Sequence, residues 1–340
     1  MTLEAPAPSS KAGLRSTSAE EIELPESSDF GGSNGRSVKG RAKTTRVVSS
    51  KVSIPKRVAE IWRSRQLLRN LVRTEIKVKY KNSFLGLVWS LLSPAMTITV
   101  YTLVFAVVLK NGIPDFVILL FSGLLVWNLF STGVTTATSA IVSNAALVKK
   151  VSFPREILPL ASIGSASVFL FFQSCVMVLF LIFFHLAPAW SDLWLIPVAL
   201  LPLLVLASAM AILLAAINVY LRDIQHLVEV VVGAAWFWAC PIIYSYERVA
   251  APLLAKHHIT WLYFLNPMTP IVMTFQRVIY NRPGLVRLTL TPTQSAQLLP
   301  SWSAMRYVEM DLAVLGGALI LFLAAMAVFG RLAGNFAEEL

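Results

Sequence analysis

The residues of this sequence that could do chemistry are mostly cations, and their spacing decides which chemistry. Arg65, Arg69, Arg73, Lys77 and Lys81 recur every four residues, as do Leu68, Val72, Ile76 and Tyr80. Steps of four set each series along one side of a helix, with the two ribbons adjacent. Glu75 and Lys79 add an i,i+4 pair in the favourable order. A basic amphipathic helix of this kind belongs in a membrane interface, with its cations at phosphate depth and its apolar ribbon against acyl chains. The alternative is a soluble helix packed on a folded domain, but the chain contains no such domain.

Constellations for bond-making chemistry do not assemble from the sequence. Cys175 and Cys240 sit inside apolar runs, away from any His or second Cys at ligand spacing, and read as free thiols. His185, His226, His257 and His258 form no metal-ligand pattern, so no metal site is expected. The sequence lacks G-x-x-x-x-G-K-[ST] and even a Gly-Lys dipeptide, so it cannot cradle nucleotide phosphates by the P-loop mechanism. A membrane-embedded transferase would need an acid–base pair, which the isolated His residues and Glu229 do not offer.

The elements that position the cations must be sought in a lipid solvent. Of the residues, 56% are hydrophobic and only 14% charged, with a mean hydropathy of +0.68. So few charges would not cover a soluble domain. The net charge of +11 could serve a nucleic-acid surface, but the cations cluster beside apolar runs and read as juxtamembrane charge. A helix needs about 20 apolar residues to cross the hydrocarbon core. Six runs qualify, at 88–109, 116–139, 157–184, 194–220, 227–244 and 312–330, and Glu229 is their sole acidic or basic residue. The stretch RTEIKVKYKNSFLGLVWSLLSP at 73–94 passes from cationic helix to apolar run, so the chain enters lipid from the side where positive charge accumulates. That side is then cytoplasmic, and Lys149, Lys150, Arg155 and Arg222 fall on it, as does the C-terminus. The segment 245–311 falls outside despite six cations, because long loops obey the charge rule weakly.

Residues 1–57 are rich in Ser, Gly, Ala and charge, and read as a disordered cytoplasmic tail without an apolar h-region. Its basic half is either solvated or held at anionic lipid by about 1 kcal/mol per cation. Residues 259–280, ITWLYFLNPMTPIVMTFQRVIY, are too apolar for open water and are broken by Pro267 and Pro270. Two short re-entrant helices fit them better than a seventh span. Trp261, Tyr263, Asn266 and Pro267 would then mark an exit gate.

Several blocks together resemble the permease subunit of ABC exporters for lipid-linked polysaccharides, which include the O-antigen (Wzm-type), teichoic-acid, capsule and cell-wall galactan exporters. The blocks are RTEIKVKYKNSFLGLVWSLLSP at 73–94, SGLLVWNLF at 122–130, NAALVKKVSFPREILPL at 144–160, NVYLRDIQH at 218–226, PIIYS at 241–245, LNPMTPIV at 265–272 and FGRLAGNFAEEL at 329–340. Their order and spacing match from about residue 66 to the C-terminus. The resemblance implies an all-α integral membrane protein with the ABC-2 exporter fold. Six transmembrane helices would lie within 87–340, with an N-terminal amphipathic interface helix over 58–86 and short re-entrant helices before the last span.

In KKVSFPREILPL, Pro154 restricts Phe153 and ends the preceding helix, and Arg155 and Glu156 open the next. That is a charged helix–turn suited to docking a soluble partner, or an ordinary basic turn anchoring two spans. The resemblance implies the first, with Asn144, Lys149, Lys150, Phe153, Pro154, Arg155 and Glu156 as the element that couples to an ATPase. Arg222 and Asp223 would be a second contact region, unless they merely cap helix ends. By the same resemblance, Arg65, Arg69, Arg73, Lys77 and Lys79 would meet the pyrophosphate of a polyprenyl-linked glycan. Trp89, Trp127, Trp236, Phe237, Trp238 and Tyr244 would line its path by stacking on sugars, although aromatic belts are also routine at membrane interfaces.

The expected partners are a second copy in a two-fold homodimer, two copies of an ABC ATPase subunit, the lipid-linked glycan and membrane lipid, with no nucleic acid. Small residues at Ala161, Gly164, Ser165, Ser167, Ala207, Ala211 and Ala215 favour close helix packing. No cofactor is expected on this chain, because ATP and Mg would bind the partner subunit. Spans nearly free of ionisable groups argue against proton coupling. An ABC-2 exporter of another lipid or drug-like substrate is the alternative. The membrane is expected to be the inner or plasma membrane of a bacterium.

Overall fold

The computed structural model describes residues 54–81, 88–244, 246, 260–280, 285–287, 295–297 and 299–340. Of the expected tail over 1–57, residues 1–53 lie outside the described residues and 54–57 are helical rather than disordered. Helix α1 runs Ile54–Arg63, the chain breaks at Ser64 (φ −89°, ψ 17°), and α2 continues Arg65–Tyr80. The amphipathic segment therefore begins before residue 58 and consists of two helices rather than one.

Next come α3 (Val88–Thr102), α4 (Phe116–Ser143), α5 (Ala145–Lys150), α6 (Ile157–Phe183), α7 (Leu195–Tyr220) and α8 (Ile224–Val230). The short α9 (Thr260–Tyr263) and α10 (Met268–Tyr280) precede α11 (Ala304–Leu332) and the terminal turn α12 (Phe336–Glu339). The described residues are otherwise turns and one antiparallel hairpin, in which Leu285–Arg287 pairs with Ser295–Gln297.

Among the described residues, four helices are long and apolar enough to cross a bilayer: Phe116–Ser143, Ile157–Phe183, Leu195–Tyr220 and Ala304–Asn335. At ~1.5 Å per residue each exceeds the ~30 Å hydrocarbon core. Shorter apolar helices cover Leu92–Val108 and Ile224–Trp236, so the expected first and fifth runs are occupied by shorter elements. Each of these finishes in a π-helical turn, Leu103–Val108 and Val231–Trp236, a wider winding that is uncommon and often marks functional positions. The fifth stops short of residue 244 because Pro241 has no N–H and holds Cys240 away from helical geometry. The last helix starts at Ala304, well before the expected 312. Its first turns carry Arg306, Glu309 and Asp311, which a hydropathy window rejects. Arg306 pairs with Glu309 at 2.9 Å, and the buried Asp311 accepts a hydrogen bond from Thr274 through Oδ2, while its Oδ1 has no hydrogen-bond partner among the described residues.

α4 is the central helix, packed on α6, α7 and α10, with Ile118, Leu120, Val126, Phe130, Val134, Ala137 and Ile141 wholly buried. At Gly133 a Cβ would come within 2.9 Å of Ile163, so the glycine sets how closely α4 and α6 approach. Toward the outside, α6 exposes Phe171, Leu179, Ile182 and Phe183, as a helix facing lipid does. The N-termini of α6 and α8 and the C-termini of α4, α7 and α11 share one end of the bundle, which carries Lys149, Lys150, Arg222 and Arg331.

Candidate functional site

At that basic end, residues from distant parts of the chain converge on the start of α6. Arg57 of α1 donates Nη1 to Glu156 Oε1 at 2.7 Å and Nη2 to the Gly330 carbonyl at 3.4 Å. The two side chains are only 14% and 5% exposed. A Cβ on Gly330 would lie 3.1 Å from Arg57 Cζ, so the glycine leaves room for the guanidinium. Arg155 donates to the Ala333 carbonyl and lies over the Phe336 ring, 5.8 Å from its centroid. Phe336 is fully buried between Tyr220 and Phe329, and Tyr220 Oη donates to the Leu332 carbonyl at 2.9 Å.

Of the residues expected to couple, Arg155 and Glu156 are thus turned into the protein and bonded there. Lys149 and Lys150 are exposed at the end of α5. Phe153 and Pro154, half-buried, line a cleft of about 480 Å³ together with Arg57, Glu60, Arg63, Arg155, Glu156 and Ala333. Asn144 precedes α5 and donates Nδ2 to the Ala140 carbonyl at 2.8 Å, closing the last turn of α4. Arg222 and Asp223 are exposed, and Asp223 stands at the N-cap of α8 without a side-chain capping bond. Asn218 Oδ1 accepts from the Gln225 amide instead, at 3.1 Å.

Along α2, Arg65, Arg69, Arg73 and Lys77 are exposed, and the adjacent side lies on α6. A Cβ on Gly164 would meet Val72 Cγ2 at 2.7 Å, which is closer than any side chain allows. Glu75 Oε1 accepts from Ser162 Oγ at 2.7 Å, and Lys79 Nζ sits 4.6 Å above the Phe169 ring. Glu75 is half-buried and Lys79 exposed; each also has a partner on α6, and Glu75 still acts electrostatically on Lys79 as the i,i+4 spacing leads one to expect. Burial pushes the Lys79 ammonium down from its ordinary value, partly opposed by Glu75.

The aromatic residues divide by environment. Trp89 lies in α3, and its side chain is outside the described residues. Trp127 and Phe237 are 4% and 6% exposed and pack as core, with Phe237 stacked on Tyr101 at 5.8 Å. Trp236 meets Phe130 edge-on at 5.0 Å and donates Nε1 to Asn266 Oδ1 at 2.9 Å. Asn266 Oδ1 also accepts from the Met268 amide, and its Nδ2 donates to the Ala239 carbonyl and to Cys240 Sγ. A residue expected on the path and one expected at the gate are therefore one bonded unit. Trp238 and Trp261 are exposed, whereas Tyr263 donates to Tyr244, which donates to the Trp238 carbonyl. Pro267 follows the Asn266 turn and, half-buried, lines an apolar cavity of about 450 Å³ between α11 and residues 264–270, with Leu206 of α7 also on its wall.

Sequence reasoning missed the polar anchors of α10. This helix is almost wholly buried. Gln276 Nε2 donates to the Pro241 carbonyl at 2.7 Å, and Tyr280 Oη to the Pro114 carbonyl at 2.7 Å. Arg277 pairs with Asp192 at 2.9 Å and donates to the Trp302 carbonyl. Thr274 donates to Asp311 Oδ2 at 2.9 Å. The available signal was the acid at 311, directly before an uncharged run.

An apolar helical bundle with one basic, cross-braced end defines a polytopic membrane protein. The chain belongs to the ABC-2 type transporter family, whose model matches residues 66–280. It is similar to the O-antigen export system permease protein RfbA of Myxococcus xanthus, with 36% identity over 225 residues, 66% of this chain and 84% of that protein. Two proteins of the same name from Klebsiella pneumoniae are also similar. One is 25% identical over 215 residues, covering 63% of this chain and 80% of the relative. The other is 23% identical over 274 residues, covering 81% and 95%.

Proposed function

We propose that this chain is the membrane-spanning subunit of an ATP-driven exporter of polyprenyl-linked polysaccharide, an O-antigen, teichoic acid or cell-wall galactan precursor. The similarity to O-antigen export permeases over most of their length carries this reading. Membership of a transporter family without a P-loop in the chain supports a separate ATPase subunit. Two permease copies and two ATPase copies would make the working assembly in a bacterial inner membrane.

Positive charge on α2 and in the α4–α6 connection supports a cytoplasmic assignment for the basic end and for both termini. The elements at 88–108 and 224–236 would complete six spans. Exposed Lys149 and Lys150, with the cleft walled by Phe153 and Pro154, would receive the ATPase. Arg65, Arg69, Arg73 and Lys77 would meet the pyrophosphate as the substrate leaves the cytoplasmic leaflet. On the far side the exposed rings of Trp238 and Trp261 would stack on sugars near a gate formed by α9 and α10.

The reading is tested by seeking a soluble Walker A protein in the neighbouring reading frame and co-expressing the chain with it. A stable complex whose ATP hydrolysis rises with lipid-linked glycan is the expected result. A chain that purifies without an ATPase and moves glycan alone would refute it.

A further inference from the structure

We infer that Arg57 and Glu156 form a positioning pair that transmits movement of the α4–α6 connection to the interfacial helices and to the end of α11. The inference rests on the proposed ATP-driven function. Glu156 is 4% exposed, and a buried ion pair that loses one partner is strongly destabilised. Its partner Arg57 stands 99 positions earlier in the chain, and the same guanidinium reaches a carbonyl 273 positions later. One side chain thus ties the start of α6 to α1 and to α11. The neighbouring Arg155 makes a second tie, to Ala333 and Phe336.

The path continues past the pair. α1 leads through Ser64 into α2, and α2 lies along α6 with Val72 over Gly164 and Glu75 on Ser162. A push on the loop is therefore carried into the helices that bear the exposed Arg65, Arg69, Arg73 and Lys77. Coupling of this kind needs contiguous bonded elements between the pushed surface and the responding one, and these residues provide them. Labour is divided at the basic end, with Lys149 and Lys150 free to contact a partner and the buried pair passing on the displacement. Arg57 precedes, and Gly330, Ala333 and Phe336 follow, the stretch 66–280 that matches the family model.

The test measures lipid-linked glycan translocated per ATP hydrolysed, with the full chain and its ATPase in liposomes. Arg57→Gln should still assemble with the ATPase but lower this ratio about tenfold, within the range by which such networks modulate coupling. Arg57→Lys keeps the charge and should restore most of the ratio. Gly330→Ala leaves both charges in place and displaces the guanidinium, so it should lower the ratio about threefold. An unchanged ratio in Arg57→Gln, equal damage in Arg57→Lys, or failure of Arg57→Gln to assemble would overturn the inference; the last would make the pair a folding requirement only. Absence of ATP-driven transport by the unaltered complex would instead overturn the proposed function, and that result needs no variant.

Discussion

Arg57 and Glu156 meet at 2.7 Å although 99 residues separate them, and the bond closes the N-terminal helices onto the start of α6. Removing one partner of a buried pair costs about 3–5 kcal/mol, because the other charge is left without water. Glu156→Ala should therefore lower the unfolding midpoint of the purified chain clearly. A midpoint within error of the parent would mean that the pair is solvated.

The contact between α2 and α6 is set by a missing side chain. With Val72 Cγ2 only 2.7 Å from where a Cβ would stand, Gly164→Ala should destabilise the chain by about 1–3 kcal/mol through overpacking. Val72→Ala in the same chain should recover most of that loss, a coupling readable in a double-mutant cycle. Additive effects would place the two residues apart.

Asn266 accepts from two donors and donates to two acceptors, whereas Trp236 depends on it for one bond. Trp236→Phe keeps the ring against Phe130 and should cost about 1 kcal/mol, the usual net worth of one hydrogen bond. Asn266→Ala should cost more, since it strands the indole N–H and frees the first turn of α10. Thermal denaturation in detergent orders the two variants, and the reverse order would contradict the hub.

The two halves of the charged loop should separate by phenotype. Lys149→Glu with Lys150→Glu changes exposed residues and should shift stability by less than about 0.5 kcal/mol. The same pair should lose the ATPase on purification. Arg155→Glu should lower stability as well, because it removes the donor to Ala333 and faces Phe336. Equal stability losses in both variants would mean that the lysines are also bonded internally.

Four of the expected spans were legible because each is a long run without charge, a pattern that lipid alone tolerates. The first and fifth were legible as apolar runs, but not their π-helical turns, whose winding a hydropathy pattern does not encode. The start of α11 was illegible because Arg306, Glu309 and Asp311 look like loop until Thr274 comes from another helix to bond Asp311. The exposed cations of α2 followed from steps of four. The inward turn of Arg155 and Glu156 did not, since Ala333 and Arg57 are remote in sequence. The i,i+4 interaction of Glu75 with Lys79 was legible, but not their added partners Ser162 and Phe169 on α6, which are remote in sequence. Trp127 and Phe237 looked like path residues by type, but their type suits a core equally well.

The proposed function requires a separate ATPase that drives glycan across this chain through the exposed lysines of its basic end. The most direct measurement reconstitutes the chain with its ATPase in liposomes and follows polyprenyl-linked glycan reaching the opposite leaflet. Translocation should require ATP and the ATPase, and should vanish in the Lys149→Glu, Lys150→Glu chain while glycan-independent insertion persists. Translocation by the chain alone, or at the parent rate in that variant, would contradict it.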